Sequence, residues 1–228
     1  MLIIIVSIVI LFFIWASADI RSGVYLRCIC KGNKKEKVTA FTFDDGPDPV
    51  HTPKILNILK ENNIKATFFL IGSKVEVYPE IVKRIYDEGH LIGNHTYSHS
   101  ARYTLWTSNR IYEDIQRAND RIYKIIGQRP TLFRPPFGVT NPLIGNAVKN
   151  RFKCIGWSLR SFDTIKHLKR DKISKRIADS IKNGDIVLFH DDREQSEVLL
   201  TLVFDEMKKK GIKVVPLDKL ININAYEI

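Results

Sequence analysis

The chain opens on an almost unbroken apolar run at 2–18, LIIIVSIVILFFIWASA, and polar periodicity begins only after it. From residue 38 onward, short runs of β-branched and aromatic residues alternate with stretches of helical spacing. Val38, Ala40, Phe41 and Phe43 predict a first strand over 38–43, and ATFFLI a second over 66–71. Further strands are expected at 90–94, 131–133, 152–157, 186–189 and 213–216. Between them, helical spacing marks 53–62, 78–88, 109–126, 142–150, 171–182 and 194–210. Thr52 reads as the N-cap of the first of these helices, with Pro53 at its first position. The longest sets Ile111, Ile115, Ala118, Ile122 and Ile125 on one face and stops at Gly127. Strands alternating with helices imply a parallel sheet. Seven such units, each strand followed by a polar loop, suit a barrel better than an open sheet. The expected fold is α/β, a distorted (β/α)7-type barrel over 38–228. A polar linker at 19–37 and one N-terminal transmembrane helix at 1–18 would precede it.

The leading run has no amphipathic pattern. At 1.5 Å per residue it reaches about 26 Å, just enough for a bilayer core. Ala16-Ser17-Ala18 resembles a signal-peptidase site, but no basic residues precede the run, so an uncleaved single-pass anchor is expected over a signal peptide. Net charge is +11, which points to an anionic surface or polymer as neighbour. The positive residues are scattered and form no nucleic-acid motif, so nucleic acid is not expected as a partner. Cys28 and Cys30 stand too close together for an ordinary disulfide, and Cys154, in an apolar strand, reads as a buried free thiol.

Chemistry-bearing residues follow the predicted strands. Asp44 and Asp45 end the first, and like charges so close resist joint ionisation. A metal ion would neutralise one acid and leave the other as a proton acceptor. The third strand is followed by His95 and His99, whose spacing on a helical turn would put both imidazoles on one face. With one carboxylate they make a three-ligand set with an open position, as catalytic metal sites have. Arg134-Pro135-Pro136-Phe137-Gly138 follows the fourth strand, Ser158 to Asp163 the fifth, and His190-Asp191 the sixth. In a parallel barrel those ends share one rim.

TFDDGP (42–47), HTYSH (95–99), RPPFG (134–138) and LFHD (188–191) resemble the signature motifs of the polysaccharide deacetylase family, carbohydrate esterase family four, also called the NodB-homology domain. The resemblance runs from 38 to 216 in the family's motif order. It implies a hydrolase of linear amide bonds that removes N-acetyl groups from a glycan sugar with a divalent metal, usually Zn2+, with Co2+ and other divalent ions as alternatives. Asp45, His95 and His99 would hold the metal. Asp44 would be the general base and His190 the general acid, and the Phe137 N–H would help stabilise the oxyanion. Arg134 would orient or tune the base, and Leu188 would line the pocket for the acetyl methyl group. Asp163 would hold the imidazole of His190.

The fourth motif departs from the family's Asp-x-x-Asp-Trp. Arg160 replaces its first Asp and Thr164 its Trp. Arg160 either meets an acidic substrate or salt-bridges a neighbouring acid. Tyr103 and Trp106 are read either as a stacking platform for a sugar or as packed aromatics, and His51, His90 and His167 as non-functional. The leading expectation is a membrane-anchored deacetylase of an N-acetylated glycan such as peptidoglycan. A deacylase or deformylase of a lipid-linked sugar and a carbohydrate-binding pseudoenzyme are the alternatives. Function places the barrel outside the cytoplasm. By contrast Arg21, Arg27, Lys31, Lys34, Lys35 and Lys37, just after the apolar run, favour the cytoplasmic side.

Overall fold

The computed structural model describes residues 1–32, 37–164 and 170–227. Its centre is a parallel sheet. The strands are β1 (Val38–Asp44), β2 (Thr67–Leu70), β3 (Leu91–Asn94), β4 (Leu132–Phe133), β5 (Lys153–Cys154), β6 (Leu159–Arg160), β7 (Ile186–His190) and β8 (Lys213–Val214). Their order is β5-β4-β3-β2-β1-β7-β6, and β8 pairs with the first two residues of β1. Each strand is joined to its neighbour in parallel.

Only four residues of chain, 155–158, separate the end of β5 from the start of β6, although the two lie at opposite edges of the sheet. The five Cα steps from 154 to 159 span at most roughly 17 Å, so the sheet must curl until its edges nearly meet. Of the stretch expected as a strand at 152–157 only Lys153–Cys154 forms β5, and Leu159–Arg160, beyond that stretch, forms an additional, eighth strand. The remaining gap is crossed by the segment before β1. Ile29 bridges Ile155 in parallel, and Lys31 bridges Asp185. A disulfide between Cys28 and Cys154 pins that segment to β5, with the two Cα atoms 4.6 Å apart. The reading of Cys154 as a free thiol is therefore corrected. The partners lie 126 residues apart, and spacing along the chain could not pair them.

The helices are α1 (Leu2–Ala18), exposed over most of its length, and α2 (His51–Glu61), α3 (Gly72–Val77), α4 (Pro79–Asp87), α5 (Ser108–Ile126), α6 (Pro142–Val148), α7 (Arg170–Ser180), α8 (Glu194–Lys210) and α9 (Leu217–Ile221), which pack around the sheet. The stop of α5 is Gly127 at φ 69°, and its N-cap is Thr107. At α2 the cap differs from expectation. Asp48 Oδ1 accepts from the N–H groups of Val50 and His51, so the helix starts at His51 and Thr52 lies within it. The core between sheet and helices includes Phe41, Phe43, Phe68 and Phe189, whose rings stack at 5.0–5.6 Å. Each fully buried aromatic contributes about 2–3 kcal/mol by leaving water.

No helix among the described residues is long and apolar enough to cross a membrane. The expectation of a transmembrane helix, with the membrane as partner and a single-pass membrane location, is thereby overturned. The apolar helix α1 has 17 residues, and about 26 Å falls short of a core near 30 Å. Its last turn is also held by the domain: Ala16 is buried, and the Thr140 N–H donates to the Ser17 carbonyl at 3.0 Å.

Candidate active site

Strand register sets the first pair of groups. Asp44, the last residue of β1, lies opposite His190, the last of β7. On the other side Leu70 pairs with Asn94, and Asn94 with Phe133, so His95 and Arg134 each emerge one residue beyond the paired row. Four chain segments distant in sequence thus deliver Asp44, His95, Arg134 and His190 to one rim. The rim opens into a cleft of about 200 Å³ whose lining includes Asp44, Asp45, His95, His99, Phe137 and His190.

Asp45, His95 and His99 converge, with their ligand atoms within 4.8 Å of one another. Asp45 Oδ1 lies 3.5 Å from His95 Nε2 and 3.3 Å from His99 Nε2. The His95 Nδ1–H donates to the Arg134 carbonyl at 2.8 Å, which fixes the ring and leaves Nε2 free as a ligand. Two imidazole nitrogens and a carboxylate oxygen facing one point suit a divalent cation, so the donor set fits the metal that the motifs imply. The convergence is not helical, contrary to expectation. Residues 95–99 form an irregular loop, and Asp45, Thr96 and His99 have φ of 76°, 66° and 45°. Such left-handed conformations cost about 1–3 kcal/mol each and persist only where their surroundings enforce them.

Gly46 shows one source of that enforcement. The Asp191 carboxylate occupies the place a side chain at 46 would take. Asp191 is fully buried and receives the Thr52 hydroxyl at 2.6 Å, and burial pushes its carboxyl up to about 7. Lys74 Nζ donates to the Asp45 carbonyl at 2.6 Å. Asp191, Thr52 and Lys74 therefore brace the loop that carries Asp45. The sequence gives Asp191 no role, and its packing against Gly46, 145 residues away, supplies one.

Asp44 is buried, and its Oδ1 accepts from Arg134 Nη1 at 2.7 Å. The Arg134 guanidinium has no exposure. It also donates to Thr42 Oγ1 at 2.8 Å, the Ile155 carbonyl at 3.1 Å and the Gly156 carbonyl at 2.9 Å, with its plane 4.1 Å over the Phe69 ring. Those carbonyls belong to the strand segment beside the Cys28–Cys154 bond.

Across the cleft the His190 Nδ1–H donates to Asp163 Oδ1 at 2.8 Å, while Asp163 Oδ2 accepts from the His190 N–H at 2.7 Å and the Ser196 hydroxyl at 3.0 Å. Burial opposes charge on His190, but the hydrogen bond and charge of Asp163, with the charges of Asp44 and Asp45, together hold the imidazole above its ordinary range. Burial likewise opposes charge on Asp163, and His190 reverses it. Leu188 lies on the cleft wall. The aromatic wall that Thr164 does not supply comes from Trp157, against whose indole Gly138 packs closely. Phe137 is 59% exposed, with φ 59° and its ring 4.8 Å from that of His99.

The chain matches the family model described as "Polysaccharide deacetylase" over residues 31–151. It belongs to the polysaccharide deacetylase family. It is thus a hydrolase that removes acetyl groups from N-acetylated sugars, in a family whose members depend on a metal. A peptidoglycan-N-acetylglucosamine deacetylase of Bacillus cereus is 36% identical over 196 residues, which cover 82% of this chain and 89% of that protein. The peptidoglycan-N-acetylmuramic acid deacetylase PdaA of Bacillus subtilis is 34% identical over 195 residues, 83% of this chain and 73% of that one. Among solved structures, the Bc1960 peptidoglycan N-acetylglucosamine deacetylase, in complex with a naphthalenyl N-hydroxybenzamide, superposes with a TM-score of 0.79. It is 34% identical, and the match covers 87% of this chain and 94% of that one.

The other sequence candidates lie elsewhere. Tyr103 is buried and packs edge-on to Trp106, which Arg110 covers at 4.1 Å, so this pair is a packed cluster. His51 pairs with Glu197 at 2.6 Å. His90 accepts from the Ala66 N–H at 3.1 Å through Nδ1 and is held down to about 4 by burial. His167 falls outside the described residues. Arg160 lines the cleft, and among the described residues no acid pairs with it.

Proposed function

We propose that this chain deacetylates N-acetylated sugars of peptidoglycan, with Asp44 as general base and His190 as general acid across one metal centre. The observation that carries the reading is the placement of Asp44 and His190 opposite each other in the sheet, beside the Asp45–His95–His99 triad. The wall glycan as substrate rests on the relatives, which are peptidoglycan deacetylases for either of its two sugars.

In this reading Asp45, His95 and His99 hold a divalent cation, with Zn2+ favoured by the two-imidazole set. A cation held there would supply the Lewis acidity needed to polarise the amide carbonyl and to make a water nucleophilic near neutral pH. Asp44, fixed by Arg134, accepts the proton of the attacking water. The Phe137 N–H donates to the developing oxyanion. Nitrogen is a poor leaving group until protonated, and His190, kept cationic by Asp163, donates that proton. Leu188 bounds the space for the acetyl methyl.

The test is acetate release from wall glycan by the full chain with Zn2+. Asp44→Asn is expected to abolish turnover while metal content is unchanged. Persistent activity in that variant would overturn the base assignment. Unaltered binding of glycan with no acetate release by the natural chain would favour a carbohydrate-binding role.

A further inference from the structure

A second, larger cleft of about 500 Å³ lies beside the catalytic one and shares Trp157 and Arg160 with it. Its lining includes Trp15 from the last turn of α1, Phe162, Arg21 and Arg176. Three arginines therefore face it against one acid, Asp19, and that acid is taken by Arg21 through two bonds of 2.9 Å. Arg176 Nη2 donates to the carbonyls of Arg160 and Ser161 at 3.1 and 3.3 Å, and its guanidinium lies 4.6 Å over the Phe162 ring. That arrangement orients the head group without neutralising it. Neither Arg160 nor Arg176 has a carboxylate partner among the described residues, and residues 165–169 read IKHLK and contain no acid. Partly exposed indoles beside unneutralised guanidinium forks make a surface for a sugar that carries a carboxylate.

We infer that this second cleft binds a carboxylate-bearing sugar next to the one being deacetylated, so that the enzyme reads one unit of the polymer while it hydrolyses its neighbour. Trp157 and Arg160, common to both clefts, mark where the chain of the glycan passes between them. Trp15 and the two further arginines close the far side. The inference rests on a glycan being the substrate.

The probes are a peptide-free wall tetrasaccharide with free lactyl carboxylates, the same tetrasaccharide with its carboxylates amidated, and neutral chitotetraose. Binding is measured by calorimetry with the Zn2+-loaded full chain carrying Asp44→Asn, which prevents turnover. The acidic tetrasaccharide is expected to bind about tenfold more tightly than the other two, the sum of two or three exposed charge contacts. Salt at about 0.5 M should erase the preference, because the contacts are solvent-exposed. Arg21→Gln, which disturbs only a surface pair, should reduce the preference, and so should Arg176→Gln. Arg176→Lys, which keeps the charge but not the fork, should retain part of it. Equal binding of the acidic and amidated glycans would overturn the inference, as would a preference unmoved in all three variants. Acetate release by the natural chain separates the two readings. Release from both glycans without a binding preference sinks only the second cleft, whereas no release from either sinks the proposed activity.

Discussion

The two clefts share a wall yet are built on opposite terms. In the catalytic cleft the charged groups that border the reaction are held by named partners. Arg134 makes four hydrogen bonds with no exposure, and Asp163 accepts three. In the neighbouring cleft the guanidinium groups of Arg160 and Arg176 lie at the surface and have no carboxylate partner among the described residues. The contrast follows from what each surface must do. Bond breaking depends on groups placed within a fraction of an ångström, and misplacement by about 1 Å costs roughly 100-fold. Gripping a flexible polymer tolerates guanidinium groups held less tightly than those at the reacting bond.

Breaking the inner network should therefore cost far more than breaking the outer one. Arg134→Leu leaves Asp44 as a buried charge without its partner. It should destabilise the fold by about 3–5 kcal/mol in denaturant titration and lower turnover by at least roughly 100-fold. A stable, active variant would show that the inner cleft tolerates disorder after all. Replacing both Cys28 and Cys154 with Ser should cost about 2–5 kcal/mol. It should also depress turnover, because the bond sits beside the Ile155 and Gly156 carbonyls that hold Arg134. Reduced stability with unaltered turnover would separate the disulfide from the catalytic network.

Asp163→Asn sharpens the comparison through pH. Asp163 raises the His190 pKa against burial, so the imidazole stays protonated to higher pH in the natural protein. Without that carboxylate the pKa falls. The alkaline limb of the kcat profile should then move to lower pH, with kcat down by roughly 100-fold. A limb that stays in place would show that His190 is not the acid. The smallest effect is expected at the outer cleft. Arg160→Ala should weaken turnover of acidic glycan by less than about tenfold and of neutral glycan by less. Equal losses on both would remove Arg160 from acid recognition.

The residues of the candidate site were legible in order along the chain. Asp44-Asp45, His95 and His99, Arg134, and His190 each follow a run that alternation marks as a strand, and strand ends of a parallel barrel share a rim. What the pattern could not show was how the groups are held there. The His95–His99 spacing suggested a helical turn, whereas an irregular loop with two left-handed residues brings the rings together, braced by contacts from β2 to β4. At α2 the first N–H groups donate to Asp48, and the Thr52 hydroxyl donates instead to Asp191, 139 residues away. The aromatic wall of the cleft came from Trp157, which precedes the motif where the family places it. The apolar character of Leu2–Ala18 was plain, but its last turn is spent on the domain, and length decided against a crossing.

By itself, then, the sequence determined the strand–helix alternation, the family and the residue types at each strand end, because periodicity and local motifs are properties of neighbouring residues. Tertiary structure alone decided the eighth strand, the disulfide that pins the gap-crossing segment to β5, the four-fold hold on Arg134 and the second basic cleft. Each of these joins residues far apart in the chain through curvature of the sheet, and curvature follows from the summed twist and packing of all the strands, which no single stretch encodes.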